Sequence, residues 1–142
     1  MENNQIFQAK VLVAGTAVGQ ALVLAEPLSL WGGLNPETGE IIDRRHPQIG
    51  EVVTNRVLIL PSGRGSSSAS SILLEAVKQK TAPAAIITSE TDGILALGAA
   101  VAKEMYDESP PVLVLAGESY AQIQTGQQIE VNQEGRLTIS AS

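Results

Sequence analysis

Residues 63–70 read Gly63-Arg64-Gly65-Ser66-Ser67-Ser68-Ala69-Ser70, directly after the apolar run Val57-Leu58-Ile59-Leu60-Pro61. The pattern is a strand end, a glycine-framed loop and a serine where the next helix should begin. Gly63 and Gly65 let the backbone come close to a ligand. Backbone N–H groups at a helix N-terminus, together with the helix dipole, favour an anion there. Arg64 adds a planar fork suited to a carboxylate or phosphate. The same surroundings favour a serine alkoxide, but a helix terminus alone does not make a serine hydroxyl acidic enough to ionise near neutral pH. A base at Ser66 therefore needs help from a partner group or a metal-bound substrate. On these residues alone, a phosphate-binding nest and a proton-abstracting Ser66 stand level. Ser66 as a plain helix cap, worth about 1 kcal/mol over Ala, is compatible with either. A P-loop is excluded, because its Gly-Lys-Ser/Thr ending is missing.

A second constellation runs from Trp31-Gly32-Gly33 to Asp43-Arg44-Arg45-His46. Trp31 is the only tryptophan in a chain with 3% aromatic residues. It lies beside paired glycines in a polar stretch, so a core role and a ligand or partner contact are both open. Arg44 and His46 are candidates for substrate contact, against the plainer reading of a solvated loop or an internal ion pair. His46 is the only histidine and the chain has no cysteine. One imidazole does not make a metal site, so no metal ligand is expected from this chain. A Ser66, His46 and Asp43 triad is formally available, without a persuasive order.

The elements that would position these residues follow from periodicity. The 142 residues are 44% hydrophobic and almost without aromatics, so a single domain over residues 1–142 must be built on an aliphatic core. Residues 6–13 and 20–24 read as strands, with Gly15 and Gly19 framing the turn between them. Residues 26–52 have no sustained period. Within them Asn35-Pro36-Glu37-Thr38-Gly39 is a turn by composition, and Ile41-Ile42 returns as a short strand. A loop of this length in a small domain carries function or is disordered, and its Trp, paired Gly and spaced charges argue for function. Residues 56–60, 84–88 and 112–115 are continuous apolar runs, as buried parallel strands are. Helical spacing covers 67–80 and 92–106, the second with Asp92 as N-cap. Residues 128–131 and 137–139 flank Asn132-Gln133-Glu134-Gly135 as a hairpin.

The net charge of -6 and the lack of a Lys/Arg run exclude a nucleic-acid partner on electrostatic grounds. No apolar run reaches the roughly 20 residues of a membrane helix. Met1-Glu2-Asn3-Asn4 has no signal-like apolar core. A cytoplasmic chain is expected.

Taken together, the motifs resemble one known family. Leu28-Ser29-Leu30-Trp31-Gly32-Gly33, Pro36-Glu37-Thr38-Gly39, Ile42-Asp43-Arg44-Arg45-His46-Pro47, Leu60-Pro61 with Gly63-Arg64-Gly65-Ser66-Ser67, and Ala82-Pro83-Ala84-Ala85 are similar, in order, to the small swivel-domain subunit of aconitase X. The resemblance implies a swivelling β/β/α domain of the α/β class, with a barrel-like β layer and flanking helices. It implies a hydro-lyase that dehydrates a small hydroxy acid, active only with a cysteine-containing large subunit in a heterodimer or higher assembly. That subunit would hold the iron–sulfur cluster. By position, Ser66 takes the family's proton-abstracting role, with Arg64 and Ser67 as its neighbours. Arg64, Gly65, Ser67, Trp31, Gly32, Arg44 and His46 are the expected substrate contacts. The expected substrate is cis-3-hydroxy-L-proline. The alternatives are mevalonate 5-phosphate, as in phosphomevalonate dehydratase, or no catalysis at all in an anion-binding module.

Overall fold

A computed structural model describes residues 4–64 and 68–141. Its main sheet has eight strands in the order β1-β10-β9-β3-β6-β7-β8-β2. These are β1 Gln5–Gln8, β2 Lys10–Val13, β3 Ala17–Val23, β6 Val57–Leu60, β7 Ala85–Thr88, β8 Val112–Val114, β9 Gln128–Val131 and β10 Arg136–Ser140. A separate two-stranded hairpin is made by β4 Leu34–Asn35 and β5 Glu40–Ile41. The helical segments are a kinked turn α1 (Leu30–Gly33), α2 (Ser68–Gln79), α3 (Gly93–Tyr106) and a short α4 (Gly117–Ala121).

The sheet is a nearly closed barrel, because its two edge strands, β1 and β2, are consecutive in the chain and separated only by Ala9. β1 runs antiparallel to β10, and β2 runs antiparallel to β8. This corrects the expectation of one strand over 6–13. The apolar run is continuous, but barrel closure breaks it at Ala9, whose N–H donates to the Gly135 carbonyl at 2.9 Å. Gly135 has φ +84°, and a Cβ there would stand 2.6 Å from Val11 Cγ2 and 2.8 Å from the Ala9 carbonyl oxygen. The second expected strand also begins earlier, at Ala17 rather than Gln20. Gly19 is inside it and not in a turn. A Cβ at Gly19 would lie 2.7 Å from the Asn55 carbonyl oxygen, so close backbone approach explains the glycine.

β3, β6, β7 and β8 are parallel neighbours. Strand alternation sorts their side chains into two cores. Ala21, Val57, Ile59, Ala85, Ile87 and Leu113 join the barrel interior with Ile129, Val131, Leu137 and Ile139. Leu22, Leu58, Leu60, Ile86 and Val112 join the outer core with Leu73 of α2 and Leu95 of α3. Helices α2 and α3 provide two of the three crossovers between parallel strands. The third, between β3 and β6, is made by residues 24–56, which bury Leu28, Leu30, Leu34, Ile41 and Val53 in the outer core. Each such Leu or Ile contributes roughly 1.5–3 kcal/mol, enough to hold an irregular crossover without a helix.

The β4/β5 hairpin has the expected turn, with the Gly39 N–H donating to the Asn35 carbonyl at 2.7 Å. No helix among the described residues is long and apolar enough to cross a membrane.

Candidate functional site

The C-terminal ends of parallel strands are where α/β sheets bind ligands, because the following loops gather there. Here the loops after β3, β6 and β7 are tied together by backbone. Leu28 bridges Gly63 in parallel fashion, and the Arg64 N–H donates to the Leu28 carbonyl at 3.2 Å. From the other side, Ser89 reaches the Pro61 carbonyl with its N–H at 3.2 Å and its hydroxyl at 3.1 Å. The buried Thr88 hydroxyl donates to the Glu90 carbonyl at 2.6 Å and turns the chain towards α3.

Asp92 is the main clamp. Its Oδ1 accepts the Ile94 and Leu95 N–H groups at 3.1 and 3.0 Å, the N-cap the sequence predicts. Its Oδ2 accepts the Gly63 N–H at 2.7 Å. One carboxylate thus caps a helix and pins the loop after β6. A Cβ on Gly63 would stand 2.8 Å from that Oδ2, which accounts for the glycine. Sequence reasoning assigned Asp92 the cap alone. Its second partner lies 29 residues away in sequence and leaves no local signal.

Arg64 is exposed at the end of this anchored segment. Gly65, Ser66 and Ser67 lie outside the described residues. The description resumes at Ser68, the first residue of α2, a helix with no acidic residue in its first turn.

The Trp31 and Asp43 regions are brought to the same end. In α1, Trp31 and Gly32 leave helical geometry, Gly32 with φ +78°. Leu30 and Gly33 are buried, whereas Trp31 is 61% exposed. The Gly33 carbonyl accepts the Ile42 N–H at 2.8 Å, and a Cβ on Gly33 would meet Leu28 Cδ1 at 3.0 Å and Asp43 Cβ at 3.6 Å. Asp43 Oδ1 accepts the Arg45 N–H at 2.9 Å, and its carbonyl accepts the His46 N–H at 3.1 Å, closing a turn. Arg44 and Arg45 are exposed on it.

His46 is only 4% exposed. Its Nδ1 accepts the Gln48 N–H at 3.1 Å, and its Nε2 lies 3.1 Å from the Glu26 carbonyl oxygen. Those partners assign the neutral Nε2–H tautomer. Both ring nitrogens are therefore occupied by backbone, and His46 fastens the 46–48 turn to the strand-end segment at Glu26. Neither nitrogen is open to serve as a catalytic base or substrate contact in this arrangement.

The chain has no cysteine, and the described residues contain no group of three or more His, Asp or Glu placed to hold a metal ion. A cavity of about 220 Å³ lined by Asn55, Lys80, Pro83 and Ser109 sits at the opposite ends of the parallel strands, away from this site.

The family model of the aconitase X swivel domain matches residues 6–139. This chain belongs to that family. It is 44% identical over 123 residues to the cis-3-hydroxy-L-proline dehydratase of Pseudomonas aeruginosa, covering 87% of this chain and 21% of that protein. The chain thus spans about a fifth of that relative's length. It is 42% identical over 93 residues to the phosphomevalonate dehydratase small subunit of Methanothermobacter thermautotrophicus, covering 66% of this chain and 71% of that one. The crystal structure of Thermococcus kodakaraensis aconitase X in its holo-form matches with a TM-score of 0.84 at 29% identity, over 95% of this chain and 98% of that one. The barrel-like sheet with flanking helices is therefore the aconitase X swivel fold expected from the motifs.

Proposed function

We propose that this swivel domain is half of the active site of a dehydratase acting on cis-3-hydroxy-L-proline. Its other half is a large, cysteine-bearing partner. The single observation behind the reading is the clamped loop. Gly63 and Arg64 are held between Leu28 and Asp92 at the strand ends, with only Gly65 between them and Ser66 in the sequence. Supporting hydroxyproline over mevalonate 5-phosphate, identity to the Pseudomonas dehydratase is 44% over 123 residues, whereas archaeal small subunits reach 46% over only 79 residues and 38% over 126.

The residues of this chain do not fit an iron–sulfur cluster, since it has no thiolate to offer. In this reading the cluster would belong to the partner and would supply Lewis-acid chemistry there. The work of this chain is binding and proton transfer. The exposed Arg64 guanidinium grips the substrate carboxylate with two parallel N–H donors. Ser66, as an alkoxide whose hydroxyl proton has passed to a group of the partner, takes the proton from the carbon α to that carboxylate. The C–H electron pair forms the new double bond as hydroxide departs from the neighbouring carbon. The enamine so formed tautomerises to the imine. Arg64 and the N–H groups that begin α2 stabilise the negative charge that develops on the carboxylate as the proton leaves. Gly65 and Ser67, outside the described residues, are assigned to the same anion. His46 acts at a distance, by holding the neighbouring turn in place.

The test is Ser66→Ala in the assembled complex. A positioned base contributes about 10²–10⁴-fold, so kcat should fall by that factor while complex formation is retained. Turnover near the wild-type rate would remove Ser66 from the chemistry.

A further inference from the structure

The outer surface of the β3–β6 crossover concentrates exposed apolar side chains. Ile42 is 42% exposed, Ile49 47%, Val52 42% and Trp31 61%. Backbone pairing brings Ile42 and Val52 together, and Ile49 lies in the turn that joins them, its N–H donating to the His46 carbonyl at 3.2 Å. Glu40 and Val52 form an antiparallel bridge, and the Ile41 carbonyl accepts the Gly50 N–H at 2.9 Å. Ile41 and Val53 point into the core with no exposure, so alternation turns Ile42 and Val52 to the opposite, outer side. Trp31 lies two residues before Gly33, whose carbonyl accepts the Ile42 N–H. Single exposed apolar residues need no explanation, but a contiguous group on one segment does. Arg44 and Arg45 border the group, exposed and without a carboxylate partner among the described residues. Tryptophan and arginine beside aliphatic residues is the composition of an interface core and its rim.

We infer that this face, centred on Ile42, Ile49 and Val52, is where the large partner docks, presenting an apolar surface bordered by carboxylates that meet Arg44 and Arg45. The inference rests on the half-site reading above. Two observations select this occupant. About four-fifths of the Pseudomonas dehydratase lies outside the part this chain matches. The face is also continuous with the clamped loop through the Leu28–Gly63 bridge and the Gly33–Ile42 bond, so a chain docked here completes the site. A separate exposed apolar surface, Leu97, Val101 and Met105 along α3, follows that helix away from Asp92 and provides the control.

The test measures the affinity of the purified chain for the cysteine-bearing chain that co-purifies with it, by biolayer interferometry under anaerobic conditions. Ile42→Asp and Ile49→Asp each bury a charge at the centre of the face and should weaken binding by about 30-fold or more, with Tm unchanged. Leu97→Asp and Met105→Asp should bind as wild type. Arg45→Glu should slow association and flatten its salt dependence. Amide exchange on complex formation gives a variant-independent check, with protection expected over 40–52 and not over 97–105. Weakening by the α3 variants alone would move the interface and overturn this inference while leaving the half-site reading intact. A wild-type chain that binds no large partner would overturn both. A homodimer dissolved by Ile49→Asp would assign the face to a second copy and overturn the inference.

Discussion

Replacing Asp92 with asparagine separates its two duties. Asparagine caps helices as well as aspartate does. The carboxylate, however, has two acceptor oxygens, one for Ile94 and Leu95 and one for Gly63. The amide keeps a single oxygen, so whichever way it turns, an NH₂ group faces one set of N–H donors. The better choice keeps the cap and leaves the Gly63 N–H without its partner at 2.7 Å. A hydrogen bond to a charged group is worth about 1.5–3 kcal/mol. For a chain of this size that corresponds to roughly 5–10 °C in Tm. Asp92→Ala also removes the cap, adding about 1 kcal/mol. The assay is thermal unfolding of the three proteins, with amide exchange at Gly63 as the local readout. The predicted order of stability is wild type, Asn, then Ala, with exchange at Gly63 accelerated in both variants. Gly63→Ala adds a second check, because its Cβ would stand 2.8 Å from Asp92 Oδ2. It should cost less in the Asp92→Ala background than in the wild type, a non-additivity expected of groups in direct contact. An Asn variant with wild-type Tm and wild-type exchange at Gly63 would refute the clamp.

Gly135→Ala should strain the seam between Ala9 and β10, since the added Cβ meets Val11 and the Ala9 carbonyl at positive φ. The left-handed conformation alone costs about 1–2 kcal/mol, and a fall in Tm with loss of exchange protection in β1 is the expected result. The Tyr120 hydroxyl is buried without a hydrogen-bond partner among the described residues, and burial pushes its pKa up to about 12. Its folded value is above the ordinary 10.0, so the stability it contributes is complete below pH 10 and lost as pH rises towards 12. Tyr120→Phe should therefore leave neutral-pH stability unchanged or raised and make it less steep between pH 10 and 12, as read by urea unfolding. His46→Ala removes the acceptor of the Gln48 N–H and the donor to the Glu26 carbonyl. It should cost about 1–3 kcal/mol, by the usual net worth of such bonds, with faster amide exchange around Gln48.

Much of the parallel core was legible because burial on both faces leaves a plain signal. Val57-Leu58-Ile59-Leu60 and Ala85-Ile86-Ile87-Thr88 are unbroken runs, and each is fully buried in the structure. The Asp92 cap and the β4/β5 and β9/β10 turns were legible because their chemistry is local. The break at Ala9 was not, because nothing in the sequence marks a residue that interrupts a strand only when a barrel closes on itself. Gly19 misled for a similar reason. A glycine placed by a carbonyl 36 residues on looks, from sequence, like a glycine placed by a turn. The short α4 is about one turn long and polar, with no apolar period to announce it. At the site, residue types were informative and contacts were not. His46 stood out within the charged Asp43–His46 run, yet its two nitrogens serve the backbone. Asp92 looked like a cap, yet it also holds the loop before Ser66.

The measurement closest to the central claim is turnover by the assembled complex, purified anaerobically, with cis-3-hydroxy-L-proline and mevalonate 5-phosphate offered side by side. The account predicts loss of water from the hydroxyproline, slowed about 10²–10⁴-fold by Ser66→Ala, and no turnover of the phosphate ester. Turnover of mevalonate 5-phosphate alone would contradict the substrate. Hydroxyproline turnover near the wild-type rate in Ser66→Ala would contradict the assignment of the base.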